Sequence, residues 1–125
     1  MQKTFFEKTG SGKHVIEAVV TRTCEGINIY IGGGEKSHIG AIVVSQPRYS
    51  LKGDGTISCT TSVFNIVGHK DDIIAIPLAE KLCKKTGQVV VVCAGVHVDN
   101  ATLEDIKKLE KNGEELTEKL LKKFD

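Results

Sequence analysis

Three histidine-containing segments flanked by glycine carry the residues of this chain that are best suited to chemistry. They occupy residues 32–40, 68–71 and 95–100, and each follows a run of β-branched or apolar residues. Glycine permits a sharp turn or a close approach of the backbone. A histidine at such a point can donate or accept a hydrogen bond, carry a proton or bind a metal. Because each segment stands where a strand is expected to end, we expect the three segments to share one surface.

Two histidines of these segments have a carboxylate nearby in sequence. In an extended segment, residues i and i+2 point the same way, so Asp99 could orient His97, and Glu35 precedes His38 by three residues. Acid–base catalysis by His97 with Asp99, or by His38 with Glu35, is therefore one alternative. A zinc site is another alternative, with ligands His38, His69, His97 and Asp99, although no HExxH pairing is present. No GxSxG motif is present either, so the pattern favours a non-catalytic role without deciding the matter.

The composition limits the class of protein. With 125 residues the chain suits a single domain spanning 1–125. A net charge of +1, from 17 basic and 16 acidic residues, argues against a general nucleic-acid binder. No apolar run reaches the ~18 residues of a membrane span and no signal peptide is recognisable, so we expect a cytoplasmic protein without a membrane partner.

The four cysteines do not form a CxxC pair and are expected to be reduced and mostly buried. The competing interpretation is a thiolate nucleophile at Cys93, near His97. Cys93 follows four consecutive valines, residues 89–92, and this context favours an inert, buried thiol.

The hydrophobic periodicity predicts an α+β fold. Strands are expected at residues 4–8, 14–23, 27–31, 40–45 and 56–67, with a glycine loop at 32–34 and with Pro47 ending the fourth strand. A helix over residues 71–86, containing Pro77 and ending at Gly87, is followed by a continuous apolar strand at 88–94. A capping box at Thr102 begins a helix to about Lys111, and Asn112-Gly113 separates it from a last helix at 114–124. The order β-β-β-β-β-α-β-α-α predicts an antiparallel-dominated sheet with helices on one face.

Four blocks of this sequence resemble a family of bacterial accessory proteins. They are residues 32–40 (GGGEKSHIG), 46–48 (QPR), 68–80 (GHKDDIIAIPLAE) and 94–100 (AGVHVDN). In this order they are similar to the prenylated-flavin chaperones that accompany gallate-type hydroxybenzoate decarboxylases, and the likeness extends from about His14 to Leu120. The resemblance implies a fold like that of the proteasome-assembly chaperones, which often work as dimers.

The resemblance further implies a non-catalytic chaperone for a decarboxylase that uses prenylated FMN. The protein would bind prenylated FMN, FMN or the decarboxylase subunit through its glycine and histidine segments, and a homodimer is possible. A flavin phosphate would meet Lys36, Arg48, His69 and Lys70, assisted by glycine N–H groups. The residues predicted to bind the cofactor are Gly32, Gly33, Gly34, Lys36, Ser37, His38, Arg48, His69, Lys70 and His97. Two alternatives remain open: a small histidine-dependent enzyme, possibly with zinc, and a structural interface subunit without a ligand.

Overall fold

A computed structural model describes residues 2–66 and 71–125. Within these residues, six strands form one sheet and two long helices pack on it. The elements are β1 (Lys3–Thr9), a 3-10 turn (Gly12–His14), β2 (Ile16–Arg22), β3 (Gly26–Gly34), β4 (Lys36–Tyr49), β5 (Ile57–Asn65), α1 (Asp72–Thr86), β6 (Val89–His97) and α2 (Leu103–Lys122). The sheet order is β1-β2-β3-β6-β4-β5, and β3 with β6 is the parallel pair among otherwise antiparallel neighbours. The predicted α+β class with an antiparallel-dominated sheet is confirmed.

The core lies between the helices and one face of the sheet. Alternate residues of β2 and β3 are fully buried because side chains of a strand point to opposite faces in turn. Leu78 and Leu82 of α1, and Leu116 and Leu120 of α2, are fully buried against this face. Burial of each leucine stabilises the fold by about 1.5–3 kcal/mol. The core residues of the sheet are Ile16, Ala18, Val20, Ile27, Ile29, Ile31, Val43, Val90, Val92 and Ala94.

The predicted break at Asn112-Gly113 is wrong, because α2 continues through both residues. Two tertiary contacts outweigh the low helix propensity of this pair. The side-chain amide of Asn112 donates to the His14 carbonyl at 2.8 Å. Gly113 is buried against Ile74, where an added Cβ would lie 3.3 Å from the Ile74 side chain.

The start of α2 is the predicted capping box. The Thr102 hydroxyl accepts the Asp105 N–H at 3.1 Å, and the Asp105 carboxylate accepts the Thr102 N–H at 2.9 Å. The same carboxylate pairs with His14 at 2.8 Å. The Thr102 N–H, followed by the His14 bond, lowers the pKa of Asp105 well below its ordinary value.

The prediction that Pro47 ends the fourth strand is also wrong, since β4 runs to Tyr49. Pro47 lies opposite Cys59 of β5, while the pairing of β4 with β6 stops at Ser45 opposite Val90. Beyond Ser45 one side of β4 is therefore open, and a residue without an N–H is tolerated at an open edge.

Helix α1 confirms the predicted stop, and it begins one residue after the predicted start at Asp71. Gly87 adopts the left-handed conformation, with φ 66°, and its N–H bonds the Cys83 carbonyl. The helix begins at Asp72, five residues before Pro77. Pro77 lacks an N–H for the carbonyl of Ile73, and Ile73 is exposed, so water can satisfy that carbonyl. No helix in residues 2–66 and 71–125 is long and apolar enough to cross a membrane.

Candidate functional site

The three consecutive glycines belong to a strand, so the predicted glycine loop is wrong. Gly32, Gly33 and Gly34 are the last residues of β3, which pairs with β2 on one side and β6 on the other. The Gly34 N–H donates to the Val15 carbonyl at 2.8 Å. A side chain on Gly33 would overlap Val15, and one on Gly34 (φ 72°) would overlap the His97 carbonyl. The glycines are required by the close approach of neighbouring strands.

A tight turn at Glu35 brings the ends of β3, β4 and β6 together. The Glu35 N–H donates to the His97 carbonyl at 2.6 Å, and its carboxylate accepts the Asp99 N–H at 2.8 Å. These bonds tie the β3–β4 turn to the end of β6. The imidazole rings of His38 and His97 consequently lie edge to face with centroids 6.2 Å apart. We call this group, together with Asp71, the histidine cluster.

Asp71 is the buried centre of the histidine cluster. Its side chain is 8 % exposed, and it stands directly before α1 without capping the helix through its side chain. One carboxylate oxygen accepts the Val96 N–H at 2.9 Å, and the other accepts from Nε2 of His38 at 3.1 Å. A buried carboxylate needs such partners, because an unpaired buried charge is strongly unfavourable. Asp71 thus joins α1, β4 and β6 at one point.

Two glycines of the histidine segments make room for this arrangement. A Cβ on Gly40 would overlap the Asp71 carboxylate and lie 2.9 Å from Nε2 of His38. A Cβ on Gly95 would overlap the His38 carbonyl, in the stretch where the register between β4 and β6 shifts. The glycines beside the histidines therefore allow the backbone of β6 to touch His38.

The pair of His97 and Asp99 is more open to solvent. Nε2 of His97 donates to Asp99 at 2.9 Å, and the two side chains are 44 % and 54 % exposed. The His97 bond, followed by the charge of Lys36, lowers the pKa of Asp99. The i, i+2 geometry expected for these residues is present.

A shallow depression adjoins the turn. It encloses about 300 Å³ and is lined by Val15, Glu17, Val19, Tyr30, Gly32, Gly33, Gly34, Glu35 and Ser37. The Tyr30 ring lies over Gly32, and its hydroxyl donates to the His38 carbonyl at 2.7 Å. Burial raises the pKa of Tyr30. We call this the Tyr30 depression, and the hydroxyl of Tyr30 connects it to the histidine cluster.

Some predicted site residues do not join this group. Arg48 lies twelve residues along β4 from Lys36, roughly 40 Å away in an extended strand, and its guanidinium bonds Thr60 at 2.9 Å. Gly68, His69 and Lys70 lie outside the described residues, so their predicted roles stay predictions. Within the described ranges, no group of three His, Cys, Asp or Glu side chains has metal-site geometry.

The expectation of buried thiols is met fully at Cys83 and in part at Cys59 and Cys93. Burial raises the pKa of the Cys83 thiol to about 11. Burial, followed by the Asp71 charge, raises the pKa of Cys93, which disfavours the thiolate nucleophile considered at that position. Cys59 is half-buried, while Cys24 is exposed.

Sequence reasoning missed Asp71 and Tyr30 as site residues. The helix predicted over residues 71–86 makes Asp71 only its first residue, and the strand predicted over residues 27–31 gives Tyr30 no role in a site. A signal for Asp71 was available, since it is a carboxylate two residues after His69 and is followed by a second aspartate that can serve the helix dipole. Nothing in the sequence indicates that Tyr30 reaches the backbone of His38.

Comparison with known proteins identifies the family. The family model of the prenylated flavin chaperone LpdD-like domain matches residues 10–125. The chain belongs to this family. A chain of a solved structure described as a novel chaperone complex for yeast 20S proteasome assembly has the same fold, with a TM-score of 0.62 and 14% sequence identity. The match covers 97% of this chain and 93% of that one. No curated protein matches the chain in sequence.

Membership in the family agrees with the resemblance of the four sequence blocks. The match to a proteasome-assembly chaperone also confirms the fold similarity that the resemblance implied. At 14% identity this second likeness concerns the fold alone.

Proposed function

We propose that this protein is a non-catalytic chaperone that holds the ring system of prenylated FMN, or of FMN, in the Tyr30 depression and supplies it to a decarboxylase. The observation that carries the proposal is the depression itself, which joins the Tyr30 ring, the backbone of residues 32–34 and the Ser37 hydroxyl beside the histidine cluster. Family membership supports the prenylated flavin as cargo.

The depression suits the ring system better than the whole nucleotide. Its volume of about 300 Å³ is at the lower end for small-molecule sites, and it is open on one side. Val15, Val19 and Tyr30 offer an apolar wall for a planar aromatic ring, and Tyr30 can stack on it. Ser37 offers a hydroxyl to the polar edge of the ring.

The described residues fit a phosphate less well. Among the described residues that line the depression, Glu17 and Glu35 carry negative charge and none is a lysine or an arginine. Asp71 of the histidine cluster and Asp99, the partner of His97, add two carboxylates nearby. A phosphate dianion would be repelled by this surface. We therefore withdraw Arg48 and the glycine N–H groups as phosphate ligands, and we infer that the phosphate projects away from Glu17 and Glu35 and toward Lys36.

The proposed partner is the decarboxylase that receives the cofactor, and the proposed assembly is a homodimer acting in the cytoplasm. An open depression is suited to transfer because a ligand that is partly exposed can be passed on without unfolding the carrier. Tight enclosure would favour retention instead.

Titration with prenylated FMN and FMN, followed by flavin fluorescence, tests the proposal. We expect Tyr30→Ala to weaken binding roughly 5- to 150-fold, since loss of a stacking aromatic costs on the order of 1–3 kcal/mol by analogy with base stacking. Tyr49→Ala is the matched control, because Tyr49 is 75% exposed at the far end of β4. Absence of binding by the wild-type protein, or equal loss in both variants, would contradict the proposal.

A second candidate function rests on the two histidine–carboxylate pairs. An imidazole oriented by a carboxylate is suited to general acid–base catalysis, and His97 is half exposed. In that case His97→Gln would abolish maturation of the partner decarboxylase while leaving flavin binding intact. Full maturation with this variant would eliminate the catalytic alternative.

A further inference from the structure

Strand β5 is an open edge of the sheet without the usual protection. It is last in the sheet order, and within the described part of the chain it pairs with β4 alone. Its sequence, ISCTTSVFN, contains no charge, no proline and no glycine. Natural edge strands normally carry such residues, because a bare edge is a template for pairing with another strand.

The opposite edge, β1, shows the protection that β5 lacks. It contains Lys3, Glu7 and Lys8 within seven residues. The ammonium of Lys119 on α2 donates to the Lys8 carbonyl at 2.9 Å, so a backbone group of this edge is already bonded. Of the two edge strands of this sheet, β1 is therefore protected against pairing with another strand, and β5 is not.

The hydrogen bonds at both ends of β5 show which of its backbone groups face outward. The Ile66 N–H donates to the Gly40 carbonyl at 2.9 Å, and the Thr56 carbonyl accepts the Ser50 N–H at 2.8 Å. Even-numbered residues therefore bond β4, because antiparallel ladders alternate. The N–H and C=O groups that point away from β4 belong to Ile57, Cys59, Thr61, Val63 and Asn65.

The surface of the chain is larger than a monomer of its size requires. The accessible area is 7312 Å², against about 6,500 Å² expected for a folded monomer of 13.5 kDa. Several large exposed hydrophobic residues lie in the β4–β5 hairpin: Tyr49, Leu51, Ile57, Val63 and Phe64.

We propose that β5 pairs antiparallel with β5 of a second copy of this chain, about a two-fold axis at Thr61. In this register Ile57 meets Asn65, Cys59 meets Val63 and Thr61 meets Thr61 of the other copy. The outward groups form up to about ten hydrogen bonds, as many as a typical interface contains. No residue of β5 itself is charged, so the two strands bring no like charges together, and a continuous twelve-stranded sheet results. The Glu80 carboxylate of α1 accepts the Thr61 hydroxyl of its own chain at 2.7 Å.

A cysteine cross-link tests this register directly. Val63→Cys, in a Cys24→Ser background, places a thiol opposite the native Cys59 of the other copy. Paired residues of an antiparallel ladder have Cα atoms about 5.5 Å apart, which suits a disulfide. Within one chain the two positions are four residues apart along a strand, about 13 Å, and cannot join. We expect mild oxidation to give a reducible dimer with a 59–63 linkage. Phe64→Cys, whose partner would be Ser58, is the control and should stay uncross-linked.

Mass measurement by light scattering completes the test and does not depend on flavin binding. The wild-type protein should have twice its chain mass at micromolar concentration. Val63→Lys should raise the dimer dissociation constant at least tenfold. Each copy would then place an ammonium group opposite the uncharged Cys59 of the other copy, and a charge on an edge strand opposes pairing. Thr4→Lys, on the protected edge, should leave the mass unchanged. A monomeric wild type overturns the proposal. A dimer that resists Val63→Lys and lacks the 59–63 linkage overturns it as well, since it pairs through another surface, such as the helix-free sheet face.

Discussion

Replacement of Asp71 by alanine should destabilise the protein more than any other single change in the histidine cluster. The carboxylate is 8 % exposed and accepts one bond from the Val96 N–H and one from His38. Its removal takes away the acceptor of the Val96 N–H and the carboxylate partner of His38 at a point where α1, β4 and β6 meet. The loss of a bond to a buried group costs about 1–3 kcal/mol. Because the His38 side chain is 21 % exposed, its share is at the low end of this range, and we expect a total loss of about 2–4 kcal/mol.

Two variants separate the contribution of hydrogen bonding from that of burial. Asp71→Asn keeps an acceptor for the Val96 N–H and a side chain of the same shape, and it should cost only about 1 kcal/mol. Asp99→Ala removes the corresponding partner of His97, but that pair is about half exposed. Exposed pairs contribute about 0–1 kcal/mol, and Asp99→Ala should stay in that range.

The assay is equilibrium unfolding in urea, followed by circular dichroism, with the slope of each transition checked for a two-state process. A loss of ~2–4 kcal/mol is a large part of the 5–15 kcal/mol by which small domains are stable, so the shift is easily measured. If Asp71→Ala unfolds within ~0.5 kcal/mol of the wild type, or if Asp99→Ala is equally destabilising, the ranking of the two pairs by burial is refuted.

Three further predictions concern other parts of the molecule. Iodoacetamide should modify exposed Cys24 rapidly and Cys83 hardly at all at pH 8, as peptide mass spectrometry will show, because burial raises the Cys83 pKa to about 11; equal rates would contradict this. Gly95→Ala should lower the thermal midpoint by roughly 5 °C or more, since its Cβ would overlap the His38 carbonyl and overpacking costs about 1–3 kcal/mol; an unchanged midpoint would show that the strands can separate without cost. The Asp105 carboxylate has a lowered pKa in the folded state, so its stabilising contribution is present above the unfolded pKa of about 3.9 and is lost as the pH falls below it. The stability gap between wild type and Asp105→Asn should therefore close in acid, and a gap that widens there would refute the sign.

Periodicity and turn chemistry predicted the elements of this fold well. The alternation of Ile27, Ile29 and Ile31 marks a strand with one buried face, and Gly87 ends α1 in the conformation that favours glycine. Both are local signals: they depend on residues within one element and its immediate neighbours. The capping box at Thr102 belongs to the same class.

The errors arise where tertiary contacts outweigh local preference. Gly113 looks like a helix break until Ile74 of α1 is placed against it, and Pro47 looks like a strand end until the neighbouring strand is known to have stopped. The three glycines of β3 were predicted as a loop because glycine is a poor strand former. Only the positions of Val15 and His97 on the adjoining segments explain them.

The candidate site was partly predictable for the same reason. Segments at strand ends were expected to meet, and His38 and His97 do meet, at 6.2 Å. His38 meets Asp71 only because the start of α1 lies close to β4, and the hydrophobic periodicity of the sequence does not give the distance between a helix and a strand. For Arg48 the prediction failed. Arg48 was expected near the site, but β4 is long enough to place it at the opposite end of the sheet.

Transfer of the cofactor is the most direct test of the proposed chaperone function. Protein loaded with prenylated FMN is mixed with apo-decarboxylase, and the rate at which decarboxylase activity appears is compared with that from the same concentration of free cofactor. The proposed function predicts faster or more complete activation by the loaded protein, with the advantage lost in Tyr30→Ala and kept in Tyr49→Ala. Equal activation with and without the protein would contradict it.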